Sequence, residues 1–128
     1  MLFRIFIVLF FLSNSSLCQI TFVENKGQLP VKIKYCSDVP SGKIFFENNS
    51  IVYNFYDQNH FSNIHEQRKK LDHMSGHSYK VSFKNSNKDV IISNYSKNDT
   101  YYNFFHGDNE NKYVSNVKSF HSILYNSI

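Results

Sequence analysis

Six histidines among 128 residues make a metal centre the first chemistry to test. His73 and His77 are four apart, the spacing that places two imidazoles on one helical face for zinc. Gly76 lies between them, however, and a strand-like alternation starts at His77. No glutamate follows His73 as a zincin helix requires. His60 and His65 sit five apart in the same polar stretch, and His106-Gly107-Asp108 reads as turn chemistry rather than a catalytic dyad. The ten acidic residues are scattered, so spacing assigns no glycosidase-like carboxylate pair. Gly27, Gly42, Gly76 and Gly107 are isolated, which leaves neither a phosphate-cradling loop nor a Gly-x-Ser-x-Gly elbow. Cys36 has no histidine near it in sequence, and an exposed thiol outside the cell oxidises, so a nucleophile is not expected there. No catalytic residue, metal ligand or cofactor is assigned.

Two kinds of surface remain. Tyr53, Tyr56, Tyr101 and Tyr102 are the candidates for stacking on sugar rings, although alternation directs the inward half of such residues to a core. Arg68-Lys69-Lys70 is the one basic cluster, short and embedded in polar residues. The formal charge is +4, with Arg4 contributing one positive near the amino terminus. Nucleic-acid surfaces carry broader basic patches, so no nucleic-acid partner is expected. The sequons at Asn48, Asn94 and Asn98 are cheap matches in an Asn-rich chain.

The elements that must position these residues are strands. Hydrophobic residues make up 41% and aromatic residues 17%, from 13 Phe and 9 Tyr with no Trp. That composition excludes a disordered chain and favours pleated, half-buried surfaces. Residues 20–23 make a short apolar start. In Val31 to Tyr35 the residues Val31, Ile33 and Tyr35 alternate with lysines, the mark of a strand with one wet face. Pro40 and Gly42 signal a turn. Lys43 to Glu47 and Ser50 to Tyr56 read as a hairpin about Asn48-Asn49, residues that tolerate positive φ. The polar stretch 57–76 is the longest candidate loop, with a helical turn expected near Ile64 to Leu71. Tyr79, Val81 and Phe83 then alternate, Val90 to Ile92 is a short strand, and residues 97–100 signal a turn before Tyr101 to Phe105. Val117 to Tyr125 is the last strand. The pattern predicts an all-β fold, a β-sandwich or open barrel of antiparallel strands, over residues 19–128.

Residues 1–18 form a secretory signal peptide. Arg4 supplies the positive region, Ile5 to Leu12 is an unbroken apolar run, and residues 13–18 are small and polar enough to reach a peptidase. The run falls short of the roughly 20 residues a spanning helix needs. Ser16 and Cys18 suit the −3 and −1 positions, making Gln19 the new amino terminus. Cleavage before Cys18 would instead allow a lipid anchor, but Ser15-Ser16-Leu17 is a poor lipobox. The mature chain then holds no internal disulfide framework, so its core must stabilise it. The expected localisation is secreted or within the cell envelope.

Phe22-Val-Glu-Asn-Lys-Gly-Gln28 resembles the opening of an N-terminal β domain found in large secreted and cell-surface proteins of Bacteroidetes. Those proteins carry gliding-motility-associated, type IX sorting domains at their carboxyl ends. Val39-Pro-Ser-Gly-Lys43, Tyr53-Asn-Phe-Tyr-Asp57, Gly76 to Phe83, Tyr102 to Asp108 and Val114 to Val117 continue the resemblance in order. Tyr113 stands where a Trp is expected. Tyr125-Asn-Ser-Ile128 ends where such domains continue through a Tyr-Pro-Gly-Ile-Asp-like strand, which implies a truncated or very short family member; a domain cut there would expose an unpaired sheet edge. The resemblance implies a non-catalytic module with a structural or adhesion-associated role, partnered by other cell-surface proteins or glycans. A glycan-binding module using the exposed tyrosines is the alternative, and a secreted hydrolase built from the scattered histidines and acids is the third.

Overall fold

Alternation of apolar and polar residues gives seven strands among the described residues, and local turn chemistry sets the first hairpins. The computed structural model describes residues 19–57, 75–87, 89–105, 107–108, 110 and 113–128. Its strands are β1 (Phe22–Glu24), β2 (Ile33–Val39), β3 (Gly42–Glu47), β4 (Ser50–Tyr56), β5 (Gly76–Ser82), β6 (Ile91–Phe104) and β7 (Val114–Asn126). They form one antiparallel sheet in the order β5-β4-β3-β2-β1-β7-β6. The all-β, antiparallel expectation is met by a single open sheet. The last strand lies in the interior, between β1 and β6, so among the described residues the free edges are β5 and β6.

The Pro40 turn falls where it is expected, and two details elsewhere differ from expectation. Val39-Pro40-Ser41-Gly42 closes β2 onto β3 with Pro40 pre-set at its second position and Ser41 at φ 67°. The Asn48-Asn49 turn closes β3 onto β4, with Glu47 opposite Ser50, yet neither asparagine takes a positive φ. Val31 is not in a strand. It is 87% exposed in a turn that the Ile33 N–H closes on the Pro30 carbonyl at 2.9 Å. The pairing of β2 therefore begins at Ile33.

The expected turn at residues 97–100 is absorbed into β6. There β6 advances from Lys97 to Tyr101 while β7 advances only from Phe120 to Lys118. Extra residues on one strand make a bulge, which bends and twists the ribbon. Asn98 Oδ1 still accepts the Thr100 N–H at 3.1 Å, and the buried Ser119 hydroxyl donates to the Thr100 carbonyl at 2.7 Å. Because the ribbon twists there, its two halves reach opposite faces of the sheet. Cys36 and Tyr35 are adjacent on β2, as are Phe45 and Phe46 on β3, so they point to opposite sides. On one side Val23, Cys36 and Val117 pack with Phe45, Tyr102, Phe104 and Val114. On the other, Tyr35, Phe46 and Phe120 pack with Ile44, Ile51, Ile92, Ile123 and Tyr125.

The sheet also curls. Phe83, one residue beyond β5, meets Tyr125 near the end of β7 edge-on at 5.3 Å. Tyr125 donates its hydroxyl to the Glu47 carbonyl at 3.0 Å, and Asn94 donates to the Tyr35 hydroxyl at 2.9 Å. These contacts bring the far end of the β6–β7 ribbon over β2 and β3 without closing a barrel.

Candidate functional site

Among the described residues, the carboxylate drawn furthest from its ordinary value is Glu47, at the end of β3. Its Oε2 accepts from Lys80 Nζ and Ser50 Oγ, both at 2.7 Å, and Lys32 Nζ lies 3.2 Å from Oε1. The side chain is only 9% exposed. The Lys80 hydrogen bond holds the carboxyl at about 2; burial opposes this, and the bonds from Ser50 and Lys32 reinforce it. A carboxyl drawn in that direction cannot donate a proton near neutral pH, so this group braces the fold. It joins β3, β4, β5 and the turn before β2. Together with Lys34 and Ser82 these residues line an open polar recess of about 480 Å³.

Cys36 points the other way. Its thiol is buried, and desolvation pushes its pKa up, against a lowering influence from Lys43. A protonated, buried thiol is a poor nucleophile. It forms part of a pocket of about 700 Å³ with Leu29, Lys43, Phe45 and Phe104. Lys43 is bonded to Asp38 at 2.8 Å.

One wall of that pocket is the segment after β1, and Asn25 builds it. The Asn25 amide donates to the carbonyls of Leu29 and Pro30 at 3.0 Å and of Ile33 at 2.8 Å. Its Oδ1 accepts from the Gly27 and Leu29 N–H groups at 2.9 and 3.1 Å. Gly27, at φ 117°, supplies the backbone conformation that lets the segment fold around this one side chain. Gln28 donates to the Glu24 carbonyl at 2.6 Å, and Glu24 accepts the Lys118 N–H at 2.9 Å. The Glu-Asn-Lys-Gly-Gln run is thus a self-bonded loop that docks β1 onto β7.

The four candidate tyrosines do not converge. Tyr53 and Tyr56 share β4 but lie on opposite faces, since their positions differ by an odd number. Tyr102 is half-buried: it packs against the buried Val23 cluster and stacks on Phe104 at 6.4 Å. Tyr101 is 63% exposed. Tyr53 stacks nearly parallel on Tyr79 at 4.8 Å, and Phe55 stacks on Tyr79 at 6.1 Å. Stacked in this way, the rings cover one another's faces, and those faces are what a sugar would use. His77 joins the same row, 6.1 Å from Tyr79.

That row borders the edge strand, whose seven residues are all exposed. The Phe83 N–H bonds the Asn49 carbonyl and the Asp57 N–H bonds the Ser75 carbonyl, each at 3.0 Å. With the β4–β5 register, these bonds fix the ladder: His77, Tyr79 and Val81 bond to β4. The N–H and C=O groups of Gly76, Ser78, Lys80 and Ser82 therefore point away from the sheet. Tyr79 and Val81 remain 44% and 45% exposed. The alternation from His77 marks this strand but not its position at the edge. The alternation of small polar residues with aromatic ones was the available signal.

His60, His65, His73, His106, the Arg68-Lys69-Lys70 cluster and Cys18 lie outside the described residues, as does the helical turn expected near Ile64 to Leu71. Among the described residues, no three His, Cys, Asp or Glu side chains converge on a common point. No helix of the described residues is long and apolar enough to cross a membrane.

The fold defines the class: an all-β domain built on one open, antiparallel, strongly curled sheet. Residues 22–128 match the family model described as a domain of unknown function, DUF7948, and the chain belongs to that family. No curated protein and no solved structure matches it.

Proposed function

We propose that this chain is an exported, non-catalytic cell-surface module with a structural or adhesion-associated role, and that it docks through the β5 edge. The observation that carries the reading is that edge: a fully exposed strand with outward-facing backbone groups at Gly76, Ser78, Lys80 and Ser82, beside an aromatic row. An edge of this kind is a template for another strand. The chemistry-bearing groups support the same reading, since Glu47 is saturated with donors and the Cys36 thiol is kept protonated. The leader at residues 1–18, with Gln19 as the mature start, supplies export. The ordered resemblance to Bacteroidetes surface proteins supplies the context.

The test follows the protein in its producing cell. The expected product begins at Gln19, lies outside the cytoplasm, and is cut by externally added protease. Cells carrying Ser78→Pro, which blocks the edge without removing a bond to β4, should adhere less than wild type at equal export. A chain retained in the cytoplasm with its leader intact, or an edge-blocked variant as adhesive as wild type, would overturn the proposal. A second reading, glycan binding, is favoured only by the exposed ring of Tyr101. A glycan array on wild type and Tyr101→Ala separates the two.

A further inference from the structure

The β5 edge has a geometry that selects its partner, and we infer that the partner is a second copy of the same strand. This inference rests on the edge-docking reading above and names what docks there. The outward backbone groups belong to Gly76, Ser78, Lys80 and Ser82, which are distributed evenly about Tyr79, the centre of the strand. A two-fold axis normal to the sheet, midway between the Tyr79 residues of two copies, pairs β5 with its own copy over its full length. Gly76 then faces Ser82 of the other copy, and Ser78 faces Lys80, so every outward N–H and C=O meets a complement. Tyr79 faces Tyr79 in a non-hydrogen-bonded position, where side chains approach most closely.

Side-chain chemistry agrees with that register. His77 comes opposite Val81, and the row Phe55, Tyr53, Tyr79 continues into its mirror across the axis, covering the exposed apolar surface of Tyr79 and Val81. Lys80 meets Ser78 rather than another lysine, and its charge is already held 2.7 Å from Glu47. No like charges stand directly opposed, which would otherwise disfavour the pairing. Among the described residues, Lys80 is the one guard on this edge and Glu47 holds its charge; β5 has no proline and a regular register against β4 throughout. A self-complementary strand generates a closed two-fold dimer rather than a fibre.

The experiment uses the protein purified as its producing cell processes it. Sedimentation velocity over a wide concentration range should show a reversible monomer–dimer equilibrium. Ser78→Pro should weaken association at least tenfold while leaving the monomer's circular dichroism and thermal midpoint close to wild type, because the Ser78 N–H faces away from β4. Tyr79→Cys should form an intermolecular disulfide under mild oxidation, whereas Ser78→Cys should not. A protein that stays monomeric, a dimer indifferent to Ser78→Pro, or a disulfide that prefers position 78 overturns the inference. Amide exchange separates this failure from that of the edge reading. Rapid exchange at Ser78, Lys80 and Ser82 in a persistent monomer leaves the edge bare and excludes only the self-partner. Protection at those amides regardless of concentration means the edge is covered within one chain, and both readings fall.

Discussion

Glu47 offers the sharpest test of how the sheet is held. In the folded chain its carboxyl is held at about 2 against an ordinary value of 4.5. A carboxylate whose folded value is depressed adds stability that is complete above its unfolded value and lost as pH falls through the folded one. The window therefore runs from about pH 4.5 down to about pH 2. At about 1.4 kcal/mol for each pH unit between the two values, the ceiling is about 3 kcal/mol. Lys32 and Lys80 are 68% and 49% exposed, so solvent and salt screen their part. A working value is about 1–2 kcal/mol. Urea unfolding of wild type and Glu47→Gln should differ by that amount at pH 7. The gap should shrink steadily below pH 4.5, approach zero near pH 2, and narrow at 1 M salt. A gap that closes above pH 4.5, or that stays constant down to pH 2, would refute the assignment of the lysine-held carboxylate as the brace.

Three further outcomes follow from the packing. Tyr125 is pushed up to about 12 by burial and by the nearby Glu47 charge, so its contribution is complete below about pH 10 and lost as pH rises through 12. Tyr125→Phe, which removes the bond to the Glu47 carbonyl, should cost about 1 kcal/mol in chemical unfolding at pH 7. Asn25→Ala strips the loop after β1 of its shared partner and should cost about 2–3 kcal/mol. Asn25→Asp should be at least as harmful at pH 7, because it sets a carboxylate against the Leu29, Pro30 and Ile33 carbonyls, and should recover in acid. Gly42→Ala drives a methyl into the Asn54 backbone carbonyl on β4 and should cost about 1–3 kcal/mol, read as a lowered thermal midpoint.

Local pattern carried most of the strand positions, because alternation reports which side of a strand is wet. It placed β3, β4 and β5 within a residue or two, and the Pro40 turn with them. It failed at Val31 because a turn residue can fall in phase with the strand that follows. At residues 97–100 the turn signal was real, as the Asn98–Thr100 bond shows. What kept the chain in the sheet was β7, paired through Lys118 and Phe120 from a later part of the chain. Tyr102 is half-buried against the core for the same reason: it packs on a cluster of Val23, Cys36 and Val117 that no local window contains. Glu47 looked like the polar end of a hairpin. Its role depends on Lys80, 33 residues away, and that partnership arises only when β5 pairs with β4.

The two edges of the sheet face opposite demands, and their sequences differ accordingly. On β6 the outer strand carries Lys97, Asp99 and a bulge, with Ser96 at φ 54° breaking the regular backbone. Charge and irregular twist of this kind prevent another strand from aligning. β5 has no bulge and a regular register, and its single charge, Lys80, is drawn back to Glu47. Were both edges bare, sheets could extend without limit; were both guarded, the exposed row at Tyr79 and Val81 would have no reason to remain apolar. One guarded edge and one bare edge allow a single pairing event. The irregularity can be moved: inserting one residue beside Lys80 on β5 should suppress association, while deleting Asn98 and Asp99, the two residues β6 has in excess between Lys97 and Tyr101, should create aggregation not seen with the wild type.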